Sequence, residues 1–339
     1  MRRSRAGQMD IRILLPIIKG SRWIMAKQAP TRRVLFDSLG ISVVNLSCSA
    51  HVESLGLEEP NATHEIVFIR RGVFGCRHRD ETLVADPNHV LFFNADQPYR
   101  YSHPIPGGDD CTILAVESAR AVELVARHAP QDARPEMPFC RGHALSSRRA
   151  AHLHWELLGL LKRPVPRLAL EDALAELADE AVRNAYQAPG APTCSDNPSA
   201  PARRRRRELV EAAKVVLNER LDAPPTLAEL GGSLGCSPFH LSRIFHAGIG
   251  VSLRHYFNRL RARIAADRLA GGAHDLTHLA LDLGYSDHSH FTNAFRQEWG
   301  LPPSRFRADR SVSGVVPDGR RRRSARWNRS SPVPQTPIL

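Results

Sequence analysis

Residues Thr226–Phe257 and Asp275–Phe306 are two diverged copies of one pattern. TLAELGGSLGCSPFHLSRIFHAGIGVSLRHYF aligns with DLTHLALDLGYSDHSHFTNAFRQEWGLPPSRF after a one-residue shift in the middle. Leu227, Leu230 and Gly235 meet Leu276, Leu279 and Gly284; beyond the shift Leu241, Phe245, Gly250 and Tyr256 meet Phe291, Phe295, Gly300 and Phe306. Thr226 and Asp275 are N-cap types, Gly235 and Gly284 permit a sharp turn, and Ser237 with Pro238, or Ser286 and Asp287, open a second helix. Each copy therefore reads as helix, glycine turn, helix, the arrangement that sets a second helix into a major groove.

In those second helices Leu241, Ile244 and Phe245, and Phe291, Ala294 and Phe295, form the buried stripes. Phe239, Ser242, Arg243 and His246 are left outward in the first unit, and His288, Ser289, Thr292, Asn293 and Arg296 in the second. Arginine grips guanine O6/N7 and asparagine pairs with adenine N6/N7, while serine and threonine serve phosphates or bases. Between the copies, Leu253, Tyr256, Phe257, Leu260 and Ile264 recur at helical spacing, with Arg254, Arg259, Arg261 and Arg268 expected on the surface. A helix over 252–270 spans ~28 Å, a coarse match to the ~34 Å between successive major-groove openings on one DNA face.

Charge supports this less than the total suggests. The net charge is +12, but residues 1–33 hold +8, 34–202 hold −7, Arg203–Arg207 hold +5, 208–307 hold +1 and 308–339 hold +5. Basicity sits in the ends and in one inter-domain run, so the repeat, not the net charge, carries the inference. The arginine run fits phosphate contact and solvated linker charge equally well.

From Ile41 to Glu117 short β-branched or aromatic runs are separated by Gly, Pro, Asn and Asp with no helix between them, which predicts a small antiparallel barrel or sandwich. Helical periodicity appears after Ser118, over Ser146–Lys162 and over Leu168–Tyr186. Gln187–Ala202 is Pro-, Ala- and Ser-rich and reads as a linker. The expected organisation is a basic disordered extension (1–33, with Met25 an alternative start), a sensor and dimerisation domain (34–186), a linker ending in the arginine run (187–207), a double helix-turn-helix domain (208–307) and a disordered basic tail (308–339). No apolar run reaches membrane-span length. The six cysteines form no CxxC pair, which predicts idle thiols in a reducing compartment, hence a cytoplasmic protein.

The second copy carries A-x-x-x-G-Y-S-D, S-x-F-x-x-A-F-R and G-x-x-P-S-x-F-R, and residues 208–307 thereby resemble the DNA-binding domain of AraC/XylS-type transcription regulators. By that resemblance Phe239, Ser242 and Arg243 reach bases from the first unit, and His288, Ser289, Thr292, Asn293 and Arg296 from the second. One departure is Gly231-Gly232, where small helix formers are usual. Residues 41–117 resemble the cupin-like barrel of such regulators more loosely. The implied fold is α+β: an antiparallel β-barrel with flanking helices, then an all-α double helix-turn-helix domain. The implied partners are double-stranded promoter DNA, a small-molecule effector, a second copy of the chain and RNA polymerase.

No cofactor and no metal is expected. The barrel segment lacks the HxH…E spacing of a metal-binding cupin, so His64, His89 and His103 read as ordinary surface or pocket histidines. Phe92, Phe93, Tyr99 and Tyr101 are candidate pocket residues, though aromatic residues at strand spacing are more often plain core. No catalytic constellation stands out, so an enzyme is not expected. The rival readings are a constitutive DNA-binding regulator whose barrel only dimerises, and a cupin-type metalloenzyme with a DNA-binding tail.

Overall fold

The computed structural model describes residues 30–49, 55–56, 58–78, 81–187 and 201–311. The rest of the expected extension, linker and tail lies outside the described residues. Among the described residues ten strands form two facing antiparallel sheets: β1 (Thr31–Ser38), β2 (Ile41–Cys48), β3 (Glu59–Pro60), β4 (His64–Gly72), β5 (Phe74–His78), β6 (Glu81–Ala85), β7 (His89–Phe93), β8 (Pro98–Ser102), β9 (Asp109–Val116) and β10 (His143–Leu145). The larger sheet runs β1-β2-β9-β4-β7-β10 and the smaller β3-β8-β5-β6.

The two-residue strand period decides what each face meets. Val44, Val67, Ile69, Cys111 and Ile113 point between the sheets, while Val43, Ile66, Phe68, Leu114 and Val116 point outward. Helices α1 (Ser118–Ala126), α2 (Arg148–Leu160) and α3 (Arg167–Gln187) cover that outward face with Leu124, Val125, Leu153, Leu157, Leu174 and Leu177. Phe92 belongs to this outer layer, 5.4 Å from the Phe139 ring. Phe93, Tyr99 and Tyr101 instead gather with Phe74 around the barrel interior. The candidate pocket set is thus split by strand alternation.

The C-terminal part is all helix: α4 (Pro201–Glu219), α5 (Leu227–Ser233), α6 (Pro238–Ile249), α7 (Leu253–Ala270), α8 (Leu276–Asp282), α9 (His288–Trp299) and α10 (Pro303–Ser311). Three boundaries differ from the sequence reading. Thr31–Arg33, assigned to the extension, pair with β2. Arg203–Arg207, assigned to the linker, lie in α4, consistent with arginine's good helix propensity. Helix α10 carries the fold past residue 307.

The histidines read as surface or pocket groups are buried: His64, His89 and His103 are each under 5% exposed. Of the α7 arginines expected on the surface, Arg254 and Arg268 are exposed, but Arg259 and Arg261 are not. Arg261 is buried, with Nη1 donating to the carbonyls of Leu283 and Gly284 and its guanidinium stacked 4.1 Å from the Tyr285 ring. Arg259 is largely covered and donates to Ser146 O at 2.5 Å. Packing on both sides of α7 is the reason: the second helix-turn-helix unit covers Arg261, and the N-terminal domain covers Arg259. Of the thiols read as idle, Cys48, Cys76, Cys111 and Cys236 are free. Cys140 is disulfide-bonded, which corrects that reading for it.

The docked surface centres on the β6–β7 turn, which inserts Asp86, Pro87 and Asn88 between α4 and α7. Asp86 is fully buried and accepts from Tyr256 Oη at 2.6 Å, Asn218 Nδ2 at 3.0 Å and Asn88 N at 2.9 Å. Lys214, also fully buried, donates to Val84 O at 2.8 Å and pairs with Glu211 at 2.7 Å; its third neighbour is His89 Nε2 at 3.4 Å. Arg263 bridges Glu298 Oε1, Pro87 O and Ser146 O, all within 3.0 Å. Lys214 and Arg263 each meet a carboxylate and a carbonyl, and Asp86 is held by three hydrogen-bond donors, which offsets the penalty of burying these charges.

Candidate nucleic-acid interface

Each reading unit is assembled by its caps. Thr226 and Glu229 form a capping box that starts α5. Ser237 accepts from His240 N to start α6, with Pro238 in the first turn. Asp275 caps α8 and, of the two candidates, Asp287 caps α9. Gly235 and Gly284 take φ of +66° and +69°, which permits the turns. Gly284 has a second reason to be glycine: a Cβ there lies 2.5 Å from Leu221 O and 2.8 Å from Pro224 Cδ. The turn of the second unit thus packs directly on the segment leading into the first. Helices α6 and α9 end alike, at Gly250 and Gly300 in left-handed conformation.

Gly231 and Gly232 are not equivalent. A Cβ on Gly231 approaches Cys236 O to 2.8 Å, so α5 and its turn are too close for a side chain. Nothing lies within 4 Å of a Cβ on Gly232. Gly232→Ala is therefore expected to stabilise the domain by about 0.5–1 kcal/mol in a urea titration, whereas Gly231→Ala gains nothing.

The inner sides of α6 and α9 are sealed. Leu241, Phe245, Phe291 and Phe295 are fully buried, and Phe295 meets Trp299 and Phe306 in one aromatic cluster. On the outer side Arg243, His246, His288, Ser289, Asn293 and Arg296 are exposed, and Phe239 is 88% exposed. Ser242 and Thr292 are half-buried, and the Thr292 hydroxyl is buried without a hydrogen-bond partner. Arg243 and Asn293 thus reach solvent from two helices whose opposite faces share one core. Arg203–Arg206 are exposed on α4, which packs on α6, and Arg205 lies close enough to Cys236 to lower its thiol pKa against the larger, opposing effect of burial. Sequence reasoning found no tie between this run and the first unit, because a charge run has no periodicity to report its neighbours.

Residues 230–309 match the family model described as a helix-turn-helix domain, and residues 28–185 match that of the AraC-binding-like domain. The chain belongs to the AraC family. It is 26% identical over 100 residues to the regulatory protein SoxS of Salmonella typhimurium, covering 30% of this chain and 94% of SoxS. It is 36% identical over 64 residues to the HTH-type transcriptional activator RhaS of Escherichia fergusonii, covering 19% of this chain and 23% of RhaS. It thus spans nearly all of SoxS but about a quarter of RhaS. Among solved structures, ToxT from Vibrio cholerae aligns over 80% of this chain and 98% of its own, at 10% identity and a TM-score of 0.32. As an AraC-type protein the chain is a DNA-binding transcription regulator with an N-terminal AraC-binding-like domain. No helix among the described residues is long and apolar enough to cross a membrane.

Proposed function

We propose that this AraC-type regulator reads promoter DNA with two heads, α6 and α9, and that a small-molecule effector in the barrel sets their grip. The observation that carries the reading is that Arg243 and Asn293 are exposed while the backs of their helices are fixed on a common core. In it, Phe239, Ser242, Arg243, His246, His288, Ser289, Thr292, Asn293 and Arg296 face the duplex, Arg and Asn supplying base-edge contacts. The chain works in the cytoplasm as a homodimer and acts on RNA polymerase at the promoter. Binding is expected to protect two adjacent major grooves on one face in a footprint of the operator selected by the purified protein. Protection of a single groove, or no selected operator at all, overturns the two-headed reading.

The effector half of the proposal is supported by the socket that holds the Asp86 turn. Because α7 touches the barrel on one side and both heads on the other, a change in barrel shape has a rigid path to the heads. An effector selective for the folded barrel raises the melting temperature as its concentration rises. A screen of metabolites that finds no such shift, with operator affinity unchanged throughout, favours a barrel that only dimerises.

The arginines of α4 give a separate expectation. Positive charge at a helix N-terminus opposes the macrodipole, so Arg204, Arg205 and Arg206 add little to folding. Replacing all three with Gln is expected to weaken binding to every DNA sequence alike and to flatten the log K against log salt slope by about 1 per lost phosphate contact. An unchanged slope assigns the run to solvent.

A further inference from the structure

At one end of the barrel, side chains from both sheets converge on a point that the DNA-binding reading leaves unexplained. Cys48 at the end of β2 and Asp109 at the start of β9 are direct cross-strand partners, so their side chains leave the sheet on the same face. His103 arrives from the opposite sheet, just past β8, held between the rings of Phe74 and Tyr101. The three residues are under 8% exposed, and one ligand atom from each lies within 4.8 Å of the other two. His103 Nε2 is 2.5 Å from Asp109 Oδ1, and Cys111, two residues along the same strand face, places Sγ 2.7 Å from Asp109 Oδ2.

The backbone around the cluster is unusually close. Gly108, at φ +67°, has no room for a Cβ, which falls 1.9 Å from Cys48 O; a Cβ on Gly72 falls 2.0 Å from Gly108 O. These contacts hold Cys48 and Asp109 in place from behind. Yet the cluster is not satisfied as it stands, since His103 Nδ1 is buried without a hydrogen-bond partner.

We propose that Cys48, His103 and Asp109 form a zinc site, with Cys111 Sγ held against Asp109 beside it. One sulfur, one imidazole nitrogen and one carboxylate oxygen are the donor types that suit a borderline-soft divalent ion, and magnesium and calcium take oxygen alone. Tetrahedral zinc places neighbouring donor atoms about 3.3–3.8 Å apart. The cluster reaches this by small side-chain rotations that open the His103–Asp109 contact and close the longer separations. Charge balance favours the ion too: Zn²⁺ with a Cys48 thiolate, an Asp109 carboxylate and neutral His103 sums to zero inside the barrel. Binding therefore expels the Cys48 proton, and any proton shared by His103 and Asp109, to solvent. The HxH…E search missed this site because its residues meet across two sheets rather than along one strand.

The test uses the full chain without DNA, so its outcome is independent of the reading-head proposal. Zinc is titrated into metal-free protein against a chromophoric chelator, and cobalt(II) is titrated in parallel. The expected result is one tight zinc per chain, and a cobalt spectrum with tetrahedral d–d bands and thiolate-to-metal charge transfer. Cys48→Ser and Asp109→Asn each weaken zinc by more than the ~10–100-fold typical of losing an outer partner, while Cys236→Ser changes nothing. Should the barrel variants fail to fold, the cobalt spectrum of the unaltered chain decides alone. A wild-type chain with no thiolate-to-cobalt band, or folded barrel variants that bind zinc as tightly as wild type, overturns the site.

Discussion

Replacing Arg243 and Asn293 together by alanine is expected to remove sequence-specific DNA binding while leaving the fold intact. Each side chain is exposed, so its loss leaves no cavity and no buried orphan, and thermal melting should move little. A good base-edge contact discriminates by about 1–3 kcal/mol, so each single change weakens the selected operator roughly 10–100-fold. The two lie on different helices, and distant sites combine almost additively. The double variant should then bind selected and scrambled duplexes about equally in an electrophoretic or fluorescence titration at fixed salt. If it still prefers the selected operator as strongly as the parent chain does, base reading lies elsewhere.

Replacing Asp86 by alanine is the change with the largest expected effect on stability. The carboxylate is fully buried and is the common acceptor for Tyr256, Asn218 and the Asn88 amide. Removing one member of a buried charged network costs about 3–5 kcal/mol, chiefly because the partners stay buried and unpaired. Tyr256→Phe deletes one donor and is expected to cost about 1.5–3 kcal/mol. Urea titration gives both values, and hydrogen exchange should locate the loosening in α4 and α7. Asp86→Ala without a change in exchange there would remove the turn as the anchor between domains.

The same network predicts a direction for pH. Burial alone raises the Asp86 pKa, but hydrogen bonds from His89, Tyr256 and Asn218 overcome it and hold the carboxyl below the usual range. Its folded pKa is depressed, so its contribution is present above the unfolded value of about 3.9 and is lost as pH falls through the folded one. His89 is held below its ordinary value by burial and by Lys214, with Asp86 and Glu211 opposing. The unfolded chain takes up that proton below about pH 6.5 and the folded chain resists it, so acidification destabilises here as well. Nearby His143, pushed down to about 3 by burial and by the charges of His89, Lys214 and Arg207, acts in the same sense. Stability should therefore decline from about pH 6.5 downward, steepening below about pH 4, and His89→Gln should blunt the first phase.

The reading units were legible in the sequence because their signals are local. Thr226, Ser237, Asp275, Gly235 and Gly284 each act within a few residues, and the structure places all of them in the expected caps and turns. The strands and flanking helices were legible through periodicity. The docked interface was not, for a physical reason: the apolar stripe of α7 says that a face is covered, but not by what. Arg263 finds Pro87 O and Ser146 O, 176 and 117 residues away, and no spacing rule connects such partners. The composition of Asp86-Pro87-Asn88 suits a turn, which the structure shows, yet its burial follows from the socket into which the turn fits. The base-contacting roles of the exposed residues remain a proposal that the alanine variants address.

Glycine 284 carries a consequence for the operator. A Cβ there would fall within 2.9 Å of the carbonyls of Leu221 and Asp222, and Arg261 on α7 donates to the carbonyls of Leu283 and Gly284. With so little slack at the joint, the proposed two-headed reading makes the spacing between half-sites a fixed dimension of the protein. One inserted base pair rotates the second half-site by roughly 35° about the duplex axis, an offset that a hinged pair of domains would absorb and this one is expected to refuse. On that reading, the promoter is cut to the ruler the protein carries.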